Sequence, residues 1–81
     1  MKAFNKWLDT FLNEKGFDLE ECFEVEGPSG TNYMSYGVVI EHIKIASARE
    51  QHDIKDVLVR LDFFHKDVKS YLRHLSKAIV I

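Results

Sequence analysis

The stretch SAREQHDIKDVLVRLDFF, Ser47 to Phe64, decides the fold, because it reads in two ways. As a helix, Ser47-Ala48-Arg49-Glu50 is an S-x-x-E capping box. Ile54, Val57, Leu58, Leu61 and Phe64 then recur at i, i+3, i+4, i+7 and i+10 on one side. As a strand, Val57, Val59, Leu61 and Phe63 alternate with Leu58, Arg60 and Asp62. One cap and one uninterrupted period explain the whole stretch, so the spacing predicts a third helix from Ala48 to Phe63. The alternative is an α+β chain with a short two-stranded sheet, in which Cys22–Val25 pairs with Leu58–Phe63.

Outward from this stretch, helical signals dominate. Phe4, Trp7, Leu8, Phe11 and Leu12 form a wide apolar stripe, and Lys15-Gly16 closes it, predicting helix 1 over Lys2–Lys15. Tyr36, Val39, Ile40, Ile43 and Ala46 share a face after a Ser35 cap and predict helix 2. The β-branched residues of that segment pull towards strand, but polar Glu41, His42 and Lys44 fall on the opposite side. Asp67 caps helix 4, in which Val68, Tyr71, Leu72, Leu75 and Ile79 face inward. Asp18-Leu19-Glu20-Glu21 has capping-box spacing and predicts a short helical turn to Phe23. Glu24 to Asn32, with Gly27-Pro28 and Ser29-Gly30, reads as a loop. The expected fold is therefore mainly α, a four-helix single domain over 1–81 with one Gly/Pro loop.

Composition narrows function. The 81 residues suffice for one small core. A hydrophobic content of 46% argues against disorder, and a net charge of −2 against a polybasic nucleic-acid binder. Charge is uneven along the chain. Met1–Met34 holds three bases and seven acids, a net of −4, and Ser35–Ile81 holds eight bases and six acids, a net of +2. Such halves either complement each other in the fold or mark separate contact surfaces. Cys22 is the one cysteine, so no internal disulfide forms and a reducing cytoplasm fits. It is expected to be a small buried hydrophobe. No apolar leader segment opens the chain, and the apolar runs fall far below the ~20 residues that span a bilayer. The tail Ala78–Ile81 is expected to pack on the core or on another subunit.

No catalytic or metal pattern is recognisable. His42, His52, His65 and His74 are spaced unlike any zinc or H-E-x-x-H motif. Gly27-Pro28-Ser29-Gly30 lacks the lysine and flanking strand of a phosphate loop, and its neighbours are acidic. No cofactor and no enzymatic activity are expected. Two clusters remain. Glu20, Glu21, Glu24 and Glu26, with Tyr33 and Tyr36 from the loop, form a candidate protein-binding surface, since tyrosine anchors interfaces and acids steer a basic partner. Lys66, Lys69, Arg73 and Lys77, at i, i+3, i+7 and i+11, form a basic stripe that could meet nucleic acid. Solvated helix faces are the competing account of both.

Gly37-Val38-Val39-Ile40-Glu41-His42-Ile43-Lys44, with Leu58–Phe63 and Leu72-Arg73-His74-Leu75, resembles small uncharacterised proteins of bacteria, phages and mobile elements. The resemblance carries no functional residue. It implies a non-enzymatic accessory or inhibitor module that binds a protein, an anti-defence protein being one form. A nucleic-acid-binding regulator is the alternative, and homo-oligomerisation is compatible with both.

Overall fold

A computed structural model describes residues 2–79 and resolves the ambiguity of Ser47–Phe64 in favour of helix. The element order is α1 (Lys2–Glu14), β1 (Cys22–Gly27), β2 (Gly30–Ser35), α2 (Tyr36–Lys44), α3 (Ala48–Phe63) and α4 (Val68–Ser76). The fold is mainly α with a small two-stranded antiparallel sheet. The sheet exists, as the alternative reading held, but its partner strand differs. Cys22–Gly27 pairs with Gly30–Ser35, not with Leu58–Phe63.

Helix ends follow the capping chemistry of the sequence. Gly16, at φ 65°, ends α1 in a Schellman arrangement, with the Phe17 amide donating to the Leu12 carbonyl at 3.0 Å. The Ser47 hydroxyl accepts from the Glu50 amide and the Glu50 carboxylate from the Ser47 amide, both at 3.2 Å, completing the capping box. Asp67 caps α4 by accepting from the Lys69 amide at 2.9 Å. The C-terminal carbonyls of α2 are capped from outside. Buried Gln51 donates its side-chain amide to the Ile43 and Lys44 carbonyls at 3.1 and 2.9 Å, binding α3 to α2.

Between α1 and α2 the structure corrects the sequence reading twice. The turn at Asp18 does not become a helix: its carboxylate accepts from the Glu20 amide at 2.9 Å, and extended chain begins at Cys22. The Glu24–Asn32 segment is not a loop but most of a hairpin, joined by the two-residue turn Pro28-Ser29. Phe23 and Val25 face the helices, while Glu24 and Glu26 face solvent, which is the period-2 alternation of a half-buried strand.

The core gathers Leu8 and Leu12 of α1, Tyr36, Val39, Ile40 and Ile43 of α2, Leu58 of α3 and Leu72 of α4. Ile79 packs against it from half-buried chain after α4, whereas Val80 and Ile81 lie outside the described residues. No helix among the described residues is long and apolar enough to cross a membrane. Leu58 is fully enclosed. Leu58→Ala is expected to cost about 2–5 kcal/mol by leaving a cavity, and Ser47→Ala about 1 kcal/mol by removing the cap. Urea denaturation with an unchanged slope measures both; a Leu58→Ala loss smaller than that of Ser47→Ala would contradict this packing.

Candidate functional site

The hairpin assembles the acidic candidates from the backbone upward. In the β1–β2 register, Glu24 stands opposite Tyr33 and Glu26 opposite Thr31, so all four share the solvent face. Tyr33 is 75% exposed, and its hydroxyl donates to the Glu24 carboxylate at 3.1 Å. The hydroxyl thereby sits beside a charge. Glu20 is exposed just before the strand.

Two of the sequence-derived contact residues are placed differently. Tyr36, expected on the displayed loop, is 1% exposed and belongs to the core. It opens α2, and its ring stands edge-on to Phe17 at 5.1 Å and tilted against Phe23 at 4.6 Å. A helix face that begins at Tyr36 points its first residue inward, which removes it from any contact surface. Glu21 is half-buried, and its two oxygens accept from the Lys69 ammonium at 2.9 and 3.0 Å. Cys22, expected to be buried, is exposed on the solvent face of β1.

The basic stripe is partly consumed within the molecule. The Glu21 carboxylate bonded to Lys69 holds that ammonium's pKa above its ordinary value. Arg73 lies 3.8 Å from Asp67 and donates to the Ser70 hydroxyl at 3.2 Å. Lys66 and Lys77 are exposed. A groove of about 370 Å³ runs between β1 and α4, with Glu24 and Glu26 on one wall and Arg73, His74 and Lys77 on the other. Glu24 and Glu26 of one candidate surface and Arg73 and Lys77 of the other thus line one groove of mixed charge. A phosphate chain following Arg73 and Lys77 would also meet Glu24 and Glu26.

An apolar patch escaped the sequence reading. Val59, Phe63 and Phe64 are 49%, 76% and 59% exposed. Phe64 was expected on the inner face of helix 3. It instead occupies the C-cap, where His65 at φ 55° turns the chain away from the helix axis. Its ring packs edge-on to Phe63 at 5.0 Å. Two adjacent aromatics at a helix end were the available signal, since adjacent residues cannot share one helical face.

Among the described residues no group of three or more His, Cys, Asp or Glu side chains is arranged to hold a metal. Asp67, the α4 cap, is a hydrogen-bonded carboxylate. The Ser70 hydroxyl bond, with help from the Lys69 and Ser70 amides and Arg73, lowers the pKa of Asp67 below its ordinary 3.8. A lowered folded-state pKa adds stability above the unfolded value and loses it as pH falls through the folded one. Wild type is therefore expected to be more stable than Asp67→Ala at pH 7, with the gap closing only below the usual aspartate range. Asp67→Asn, which caps without titrating, should show no such closure. Urea midpoints measured from neutral pH into acid test both.

No family model matches the chain, and neither curated proteins nor solved structures match it.

Proposed function

We propose that this chain is a non-enzymatic accessory or inhibitor module that binds a protein through the solvent face of its hairpin. The observation that carries this is the joining of Glu24, Glu26 and 75%-exposed Tyr33 on one face of the hairpin. A tyrosine fixed beside a carboxylate loses little side-chain freedom on binding and supplies area with a polar tip. Flanking acids, with no base among the hairpin's own residues, favour a basic partner surface and speed encounter with it. Glu20 extends the acidic rim, whereas Glu21 is engaged with Lys69. A target in a bacterial host system, as an anti-defence protein would have, is one form of this role and rests on the resemblance alone.

The nucleic-acid alternative is less well supported. Of Lys66, Lys69, Arg73 and Lys77, Lys69 and Arg73 face intramolecular carboxylates, and Glu24 and Glu26 line the groove that Arg73 and Lys77 share. Phosphate binding needs such cations free to release counterions.

A tagged pull-down from bacterial lysate, with and without nuclease, tests the proposal by mass spectrometry. A stoichiometric protein that survives nuclease is expected. Glu24→Lys with Glu26→Lys should slow its association at least about tenfold at low salt, and Tyr33→Ala should hasten dissociation. Capture that all three substitutions leave unchanged would sink the assignment, and recovery of nucleic acid alone would replace it with the basic groove wall.

A further inference from the structure

We propose that the outer face of α3 is a self-association surface, which pairs antiparallel with α3 of a second copy across a twofold axis. His52, Asp56, Val59, Arg60 and Phe63 recur along α3 at i, i+4, i+7, i+8 and i+11, so they form one stripe. All five are exposed, Phe63 at 76%. Val59, Phe63 and Phe64 border an open groove of about 360 Å³ whose rim includes Asp56 and Arg60. A ridge of aromatic side chain beside an open groove is a shape that can fit a copy of itself.

Charge selects the occupant. The rim carries both signs in a fixed order, Asp56 first and Arg60 one turn later. They sit four residues apart, where an intrahelical pair is sterically available, yet Arg60 makes no ion pair among the described residues. Asp56 has only the His52 ring, at 3.5 Å. Lys55, the other cation of the groove, is already placed over the Trp7 ring at 5.0 Å. An antiparallel twofold sets each Asp56 against the partner copy's arginine of the same stripe, making two identical pairs. It also places Val59 near the axis and the two phenylalanine pairs over opposite ends of the joined helices. A partner of uniform charge would leave one of the two rim charges opposed.

The surface is small. Two phenylalanines and a valine at these exposures offer roughly 300 Å² of apolar area, against about 800 Å² per partner in a standard interface. The dimer is therefore weak and concentration-dependent, and the surface is independent of the hairpin face.

Sedimentation equilibrium on the intact protein tests this over about 1 µM to 1 mM. The mass of wild type is expected to rise from the 9.5 kDa of one chain towards twice that value. Phe63→Ser, Asp56→Arg and Arg60→Asp should each raise the dissociation constant at least about tenfold, and Asp56→Arg combined with Arg60→Asp should recover most of that loss. Glu24→Lys should have no effect. These side chains are exposed, and an unchanged helical circular dichroism spectrum verifies folding of each variant. A wild type that stays at one chain's mass near 1 mM would overturn the proposal, as would a dimer indifferent to Phe63→Ser. Weakening by both single charge reversals without recovery in the double variant would overturn the antiparallel pairing.

Discussion

The start of α2 is where the hairpin, the turn before it and the helical core are joined, because a helix leaves its first amides without internal partners. Here the Tyr36 amide donates to the Glu21 carbonyl at 3.1 Å, Gly37 to the Leu19 carbonyl at 2.8 Å and Val38 to the Ser35 hydroxyl at 3.4 Å. Chain from both sides of the hairpin therefore satisfies one helix end. The approach is close enough that a Cβ on Gly37 would sit 3.1 Å from the Leu19 carbonyl oxygen. The same residue that donates to Glu21 drives its ring between Phe17 and Phe23. Backbone satisfaction and aromatic burial thus fix the sheet against the helices together, and neither alone would orient the solvent face of the strands.

Ion pairs between the two parts of the chain offset some of its uneven charge. Lys69 pairs with Glu21, Lys44 with Asp9 at 2.8 Å, and Lys15 with Asp62. Each pair joins the acidic first part of the chain to the basic second part. Such exposed pairs contribute little individually, but they determine which charges remain free. Glu24 and Glu26 on the hairpin, Lys77 on the groove wall of α4 and Arg60 on the outer stripe of α3 are in no such pair among the described residues.

Much of the helical architecture was legible because its signals are local. Gly16, Ser35, Ser47 and Asp67 each act through a residue no more than a few positions away. The hairpin was not, for a physical reason. Its inner face rests on Phe23, Val25 and Met34, and Gly, Pro and Ser at its centre carry turn chemistry that a loop shares. The alternative reading had a strand at Cys22–Val25, but its partner Gly30–Ser35 is recognisable as a strand only once the two pair. Tyr36 was misplaced because a tyrosine after a turn looks displayed, whereas burial depends on Phe17 and Phe23 arriving from elsewhere. Of the candidate contact residues, Glu24, Glu26 and Tyr33 are brought together, Glu20 stands beside them, and Glu21 and Tyr36 serve the fold. The α3 patch was hidden by the assumption that the helix period continues through Phe64.

The strand alternation of the hairpin separates two kinds of selection. Phe23, Val25 and Met34 point inward and are constrained by the volume they fill. Cys22, Glu24, Glu26, Thr31 and Tyr33 share the outward face and are exposed. Mutations can accumulate on that face without a folding penalty, and the two-residue turn at Pro28-Ser29 can accept insertions at the same low cost. A small chain built this way can change what it recognises over generations while its interior stays fixed.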